Sequence, residues 1–304
     1  MNKLTSYRGV LWVLLLGLVM ATGAVQAAER LKPFVLASAG PGTVDAKAKE
    51  VKEALQKGGF EVIGEYSPYE NAVVIVATSD ELKAAARKTP RGAYGAIVRI
   101  GVTQVGDQVQ VSYANPVYFQ YAYRMDADLT PVAEKLGQVL GHEKEFGSDK
   151  GLTPKKLRKY HYMFGMPYFD EPYELGSFPD HAAAVKAVEE GLAAKRGGVR
   201  KVYRLDLSPD VTLFGVSITG EGVDEKAGER YQMGVVDFDE LKKTAYLPYE
   251  VLVLGNKVEA PHMKFRMAVH MPDLSMMGEH SFMKVRSSPP LVEKALKTMV
   301  GAGG

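Results

Sequence analysis

The chain has 304 residues, which is enough for two domains of ordinary size. Hydrophobic residues make up 46% and charged residues 24%, values typical of globular proteins, which excludes a disordered chain and a multi-span membrane protein. The formal net charge is only +2, so the chain does not have the excess of basic residues that is typical of nucleic-acid-binding proteins. The absence of cysteine excludes disulfides, thiolate nucleophiles, thiolate-ligated zinc and iron–sulfur clusters.

Residues 1–27 have the three parts of a cleavable secretory signal peptide. Lys3 and Arg8 precede an apolar run over residues 9–20, and small residues follow up to Ala27. The run is about 12 residues long, whereas a helix needs about 20 to cross a bilayer. We expect cleavage after Ala27 and a periplasmic protein without stable membrane insertion. Since Lys3 and Arg8 are two of the 38 basic residues, 36 basic and 36 acidic residues would remain.

Short motifs recur in the same order in the two halves of the chain, which predicts a tandem duplication. In chain order, the motif pairs are 51–55 with 188–192, 80–83 with 239–242, Tyr94 with Tyr249, Asn115-Pro116 with Met271-Pro272, and 131–135 with 290–294. We therefore expect a first domain over residues 28–141, a connector over 142–178 and a second domain over 179–304.

Each half mixes amphipathic helices with β-hairpins. The elements predicted in the first half are a helix over 45–57, strands over 60–66 and 72–77, a short helix ending at 88, a hairpin over 96–114 and a helix from 130. Those predicted in the second half are a helix over 181–195, strands over 200–207 and 211–219, a short helix over 239–244, a hairpin over 249–271 and a helix from 290. This order predicts an α+β fold in which each domain is an antiparallel sheet packed with helices.

A hairpin strand that runs into Asn115-Pro116 or Met271-Pro272, followed by a helix with Pro-x-x-Glu-Lys, resembles the domain-of-unknown-function 302 family. The resemblance implies two small α+β domains with a TATA-binding-protein-like layout, covering most of the mature sequence. Met271 replaces the asparagine in the second unit, so a role of Asn115 does not carry over to that unit. The family has no settled activity, so the resemblance implies a fold and no function.

The connector between the two halves does not repeat and is rich in aromatic residues. Its rings can dock between two domains, because each aromatic side chain buries about 150–250 Å². Alternatively, the segment forms the wall of a ligand cleft, since interdomain grooves are frequent ligand sites. The candidate ligand-binding residues are Tyr160, His161, Tyr162, Phe164, Tyr168 and Phe169. A basic stretch beside aromatic residues, such as 155–159, can bind single-stranded nucleic acid. However, the chain is expected to be secreted and neutral, so we do not expect nucleic acid as a partner.

Motifs of catalysis are incomplete throughout the sequence. Residues 215–219 resemble a nucleophile elbow but lack its second glycine. Residues 40–43 lack the third glycine of a dinucleotide-binding loop, and His142-Glu143 lacks a second histidine at the spacing of zinc proteases. We therefore expect no enzymatic activity.

Methionine and histidine are concentrated near the C-terminus, where six of the 13 methionines and three of the six histidines lie between residues 262 and 283. Thioethers and imidazoles suit Cu(I). We assign Met263 and Met267 to the core face of a hairpin strand, where methionine fills space. The candidate metal ligands are instead in the following loop: Met276, Met277, His280 and Met283. A haem held by His280 or His161 with a nearby methionine is the weaker alternative to copper.

Two classes of function stay open. The first is a non-catalytic periplasmic protein that binds a small ligand or copper at the interdomain cleft or at the methionine loop. The second is a structural or assembly partner of another periplasmic protein, with no small ligand. The zero net charge of the mature chain favours neither class, because it provides no long-range electrostatic steering.

Overall fold

The structure is a computed structural model that describes residues 29–301, so the expected signal peptide lies outside the described residues. Two antiparallel sheets are packed with helices, which confirms the predicted α+β class. Among the helices of residues 29–301, none has the length and apolar character needed to span a membrane.

The first sheet has six strands in the order β2-β3-β4-β5-β1-β6. They are β1 (Phe34–Pro41), β2 (Glu61–Tyr66), β3 (Ala72–Thr78), β4 (Val98–Val105), β5 (Gln108–Ala114) and β6 (Lys144–Phe146). The helices of this part are α1 (Val44–Lys57), α2 (Asp80–Ala86), α3 (Pro116–Ala122), α4 (Thr130–Leu140) and α5 (Pro154–Arg158). Thr43 caps α1 by accepting a hydrogen bond from the Ala46 amide, and the buried face of α1 carries Ala48, Val51 and Leu55.

The second sheet has five strands in the order β7-β11-β10-β9-β8. They are β7 (Tyr173–Ser177), β8 (Val199–Ser208), β9 (Val211–Ile218), β10 (Tyr249–Leu254) and β11 (Lys257–Ala260). The helices are α6 (His181–Ala193), α7 (Glu229–Val236), α8 (Met263–His270) and α9 (Ser288–Val300). Without β6, the first sheet has the same strand topology as the second. The shared topology is what a duplication produces, while the duplication and the domain bounds stay predictions.

The hairpin strand expected to reach residue 271 ends at Ala260, and the next residues form α8 instead. Pro261 has no amide hydrogen for the ladder, and the His262 side chain caps the helix by accepting from the Lys264 amide at 3.2 Å. Met263 and Met267 are therefore buried on a helix, not on a strand. His262 caps α8 just as Asn115 caps α3, so the expected match of Asn115 with Met271 is wrong.

Two further expectations about local structure are wrong. The short helix of the second half is α7, which ends at Val236, and residues 239–242 are not helical. The motifs 80–83 and 239–242 therefore occupy different positions, because the first lies in α2 and the second follows α7. The start of the connector expected over 142–178 instead belongs to the first sheet, because it contains β6, which pairs with β1 through Phe34 and Phe146.

Each half covers the sheet face of the other with a 3-10 turn. The turn Thr244–Tyr246 lies over β4, where the hydroxyl oxygens of Thr103 and Thr244 are 2.7 Å apart. In the opposite direction, the turn Gly92–Gly95 follows Arg91, whose guanidinium donates to both carboxylate oxygens of Glu259 on β11 at 2.6 and 2.8 Å. These reciprocal contacts bury polar side chains between the two sheets.

Candidate binding face of the connector and the methionine loop

Exposed hydrophobic side chains are concentrated in a small part of the described surface. We call residues 160–169 the connector tip and residues 275–283 the methionine loop. Of the large hydrophobic side chains in residues 29–301, the exposed ones are Met163, Phe164, Tyr168, Phe238, Met277 and Met283. Five of these six lie on the connector tip or the methionine loop, and Phe238 stacks on a residue of the loop. Such a concentration is typical of a binding surface.

The connector tip and the methionine loop are in direct contact. The ring centroids of Tyr162 and Phe282 are 4.8 Å apart, and the Tyr162 hydroxyl donates to the Leu274 carbonyl at 3.1 Å. The Tyr160 hydroxyl donates to the Ala268 carbonyl on α8 at 2.8 Å. These contacts hold the tip against the end of α8, so the exposed groups of both segments belong to one region of the molecule.

Backbone hydrogen bonds close the methionine loop on itself. The Phe282 amide donates to the Ser275 carbonyl at 3.0 Å, and the Met283 amide donates to the Met276 carbonyl at 3.2 Å. The backbones of Met276 and Met283 are therefore adjacent, while Met277 and His280 lie in the turn between them. The Met277 side chain is 75% exposed and the Met283 side chain 41% exposed.

His280 is held in one tautomer by the second half of the chain. Its Nδ1 lies 2.8 Å from the carbonyl oxygen of Val235 at the end of α7. Because a carbonyl only accepts, Nδ1 carries a proton, and in the neutral ring the lone pair is therefore on Nε2. The ring stacks on Phe238 with centroids 4.3 Å apart and planes inclined by 18°. A hydrogen bond from one imidazole nitrogen to a backbone carbonyl is the usual way to orient a metal-ligating histidine.

His161 on the connector tip is arranged in a similar way with the nitrogens exchanged. Its Nε2 lies 2.9 Å from the Met166 carbonyl oxygen, so Nε2 carries a proton, and in the neutral ring the lone pair is on Nδ1. The ring stacks on Tyr168, with centroids 4.2 Å apart and planes inclined by 10°. Both histidines of this face therefore present one nitrogen that can accept a hydrogen bond or a metal.

The six candidate ligand-binding residues of the connector lie in different environments in the structure. Tyr160, His161 and Tyr162 line a groove of about 1000 Å³, whose cationic lining residues are Arg30, Lys150, Lys155, Lys156 and Lys159. Phe164 is fully exposed and Tyr168 covers His161. Phe169 is buried and packs on Tyr94 and Tyr123 of the first half and on Phe265 of α8. This ring therefore contacts aromatic residues from both halves of the chain.

Sequence reasoning did not find Val235 and Phe238 as neighbours of His280. Val235 is 45 positions away from His280 and lies on α7, a helix that the sequence did not predict. Phe238 is 42 positions away and follows the end of this helix. The one available signal was Phe238 itself, a large aromatic residue in a polar stretch next to Asp237 and Asp239. Among residues 29–301, no group of three or more His, Cys, Asp or Glu side chains could hold a metal ion.

Comparisons with known proteins do not place the chain in a family. No protein-family model matches it, and no curated protein or solved structure gives a significant match. The resemblance to the domain-of-unknown-function 302 family therefore stays a prediction from the short motifs.

Proposed function

We propose that this protein is a non-catalytic binding protein of the periplasm that holds Cu(I) on the methionine loop. The proposed ligands are Met276, Met277, His280 and Met283. The observation that carries the proposal is the orientation of His280, whose Nδ1–H donates to the Val235 carbonyl and leaves Nε2 as the available nitrogen, in a loop that also carries three methionines. The periplasmic location rests on the signal-peptide pattern of residues 1–27.

The exposure of the loop methionines supports a role other than packing. Met263, Met267 and Met271 are at most 2% exposed and fill the core. Met277 is 75% exposed and Met283 41% exposed, although full burial of a methionine side chain stabilises a protein by about 1.5–3 kcal/mol. Packing therefore explains the first three methionines and does not explain the two in the loop.

The chemistry of these side chains matches Cu(I) better than a hard cation. Thioethers and imidazole are soft and borderline ligands, and thioethers bind without losing a proton. A neutral imidazole with one nitrogen fixed by a carbonyl adds a directed lone pair. The chain has no cysteine, so thioether and imidazole side chains such as these provide its soft and borderline ligands.

The test is a Cu(I) titration of the mature protein against a competing chelator under anaerobic, reducing conditions. The variant M276L/M277L should lose most of its Cu(I) affinity, because leucine has no thioether. Leucine has a volume similar to that of methionine, so the packing of the loop should be preserved. The matched control M263L/M267L makes the same chemical change in α8 and should bind as the wild type does. In each double variant, the free energy of unfolding should decrease by less than about 1.5 kcal/mol per substituted position. Equal affinities of the wild type and M276L/M277L would overturn the proposal.

A second candidate function is favoured by Phe164, which is fully exposed at the connector tip beside the partly exposed Met163. A structural or assembly partner that covers this ring would remove a large apolar side chain from water. A photo-crosslinker at position 164 should then form one discrete adduct in cells, and the same group at the exposed Lys57 of α1 should not. F164A should leave Cu(I) affinity unchanged, which separates the two functions.

A further inference from the structure

The groove at the base of the connector tip has an excess of exposed positive charge. Its cationic lining residues are all exposed to solvent: Arg30, Lys150, Lys155, Lys156 and Lys159. Within residues 29–301, none of these five side chains forms an ion pair. The two acidic lining residues are Asp149 and Asp273, and the Asp273 carboxylate already accepts from the Ser148 hydroxyl at 3.3 Å and from the Asp149 amide at 2.5 Å. The groove is therefore a positively charged surface.

The connector tip continues from this groove into a turn that exposes apolar side chains. Met163, Phe164 and Gly165 are consecutive exposed residues, and Phe164 is fully exposed. The Met166 amide donates to the Met163 carbonyl at 3.1 Å, which closes the turn. Apart from its chain neighbours, a Cβ atom at Gly165 would meet no atom of residues 29–301 within 4 Å. The turn therefore projects an aromatic ring and a thioether side chain into solvent.

The apolar turn and the cations are neighbours along the chain and in space. Tyr162 lines the groove, and Phe164 is only two residues further along, so their Cα atoms are at most about 7 Å apart. On the other side of the groove, Lys155 and Lys156 lie on α5, and the fully buried Leu157 anchors this helix in the core. The molecule therefore presents an apolar turn and a group of cations in one region.

Packing within the described chain does not account for this arrangement. A fully exposed phenylalanine lacks the favourable free energy that burial of its ring would provide. Neighbouring lysines without carboxylate partners also repel one another. Contact with a surface that is negatively charged and that takes up apolar side chains would remove both costs.

An anionic phospholipid bilayer has both of these properties. Its headgroups attract Lys and Arg side chains, and the boundary between headgroups and acyl chains takes up aromatic and apolar side chains. A convex turn enters this boundary without a preformed pocket, whereas an acidic protein needs a recess that is complementary to Phe164. The basic stretch 155–159 followed by the aromatic tip 160–169 therefore matches a lipid surface better than a protein surface.

We propose that the connector tip docks the protein reversibly on an anionic phospholipid bilayer. Met163 and Phe164 enter the interface between headgroups and acyl chains, and the cations of the groove contact the lipid phosphates. This contact is peripheral, because it uses one turn and a group of surface charges. The proposal does not depend on copper binding, and it assigns Phe164 to a lipid surface instead of to the partner protein of the second candidate function.

The first test is co-sedimentation of the mature protein with vesicles of phosphatidylcholine alone and with vesicles of equimolar phosphatidylcholine and phosphatidylglycerol. Binding should require phosphatidylglycerol and should weaken as the salt concentration rises. K155Q/K156Q should lower the partition coefficient by about 10-fold or more, and F164A should lower it by about 10-fold or more. The matched control K49Q/K57Q removes the same charge from exposed positions of α1 and should bind as the wild type does. Equal binding of the wild type and all variants, or no binding of the wild type, would overturn the proposal.

The second test observes the turn directly and separates a lipid surface from a partner protein. Trp12 is the single tryptophan of the sequence and lies in the expected signal peptide, so F164W carries the one tryptophan of the mature chain at the tip. Its emission should shift to shorter wavelength on the anionic vesicles, and lipids with brominated acyl chains should quench it. F178W changes a partly buried position of the second half and should show neither effect. An unshifted F164W spectrum, or a discrete protein crosslink at position 164 without vesicle binding, would contradict the lipid contact.

Discussion

The hydroxyl of Tyr66, on β2, donates a hydrogen bond to Glu229 Oε1, on α7, at 3.2 Å. This bond connects an edge strand of the first sheet with a helix of the second half. Glu229 is only 4% exposed, and burial raises the pKa of its carboxyl to about 8. Since the acid is protonated when the protein is folded at neutral pH, the contact between the halves depends on pH.

Glu229 should make the protein less stable as the pH rises. The unfolded carboxyl ionises near pH 4.5, whereas the folded one keeps its proton up to about pH 8, so the folded state binds one more proton between these values. The stabilising contribution is therefore present below about pH 4.5 and lost progressively up to about pH 8. The total loss is on the order of 3–5 kcal/mol.

Urea unfolding of the wild type and E229Q between pH 5 and 9 measures this effect. E229Q should lack most of the decline, because glutamine does not ionise. Asp237, whose pKa burial raises to about 6, is present in both proteins, so their difference isolates Glu229. The control E221Q changes an exposed glutamate and should follow the wild type, and parallel curves for all three proteins would contradict the assignment.

Gly101 should be required for the close contact between the two halves. A Cβ at this position would lie 2.8 Å from Thr244 Cβ and 2.9 Å from the Ala245 amide nitrogen. G101A should therefore separate the turn from β4 and destabilise the protein by about 1–3 kcal/mol in urea unfolding.

The matched control is G234A in α7, where a Cβ would meet no atom within 4 Å. Alanine is favoured over glycine inside a helix, so G234A should stabilise the protein by about 0.5–1 kcal/mol. Equal effects of the two glycine-to-alanine changes would show that backbone entropy, not the contact between the halves, determines the result at Gly101.

Phe238 should act as a positioning residue for the proposed copper site. The ring stacks on His280 and is 49% exposed, so its removal changes the orientation of the imidazole with little loss of core packing. F238A should weaken Cu(I) binding by about 10-fold or more, and H280A should weaken it further. The control is F164A, which removes an exposed phenylalanine that has no stacking contact with His280. The Cu(I) affinity of this variant should equal that of the wild type.

Tyr162 should hold the connector tip in place. Y162F removes the hydrogen bond to the Leu274 carbonyl and should lower the free energy of unfolding by about 0.5–1.5 kcal/mol. Y162A also removes the ring contact with Phe282, so the tip should open locally. Hydrogen exchange of the amides of residues 161–168 should become faster in the order wild type, Y162F, Y162A, with exchange in β4 unchanged. Unchanged exchange at the tip in Y162A would rule out this role.

Local signals in the sequence were sufficient for many elements of the fold. The hairpin β4-β5 turns at Gly106, which has a φ of +60°, and α1 begins after its capping residue Thr43. Both depend on neighbours a few residues away, so a pattern in the sequence reports them. The same patterns failed for α8, because it is buried on nearly every side. A helix without an exposed face lacks the 3.6-residue alternation, and its Met263, Phe265 and Met267 resembled a strand.

The sequence by itself determined the α+β class, the aromatic connector segment as a chemically distinct stretch, and the concentration of methionine and histidine in one loop. Only the tertiary structure decided which groups meet. Arg99 pairs with Glu250 across 151 positions, and the Val235 carbonyl selects the tautomer of His280 across 45 positions. The physical reason is that hydrogen-bond partners, burial and the resulting charge balance arise from contacts between distant segments, which leave no periodic pattern in the residues on either side.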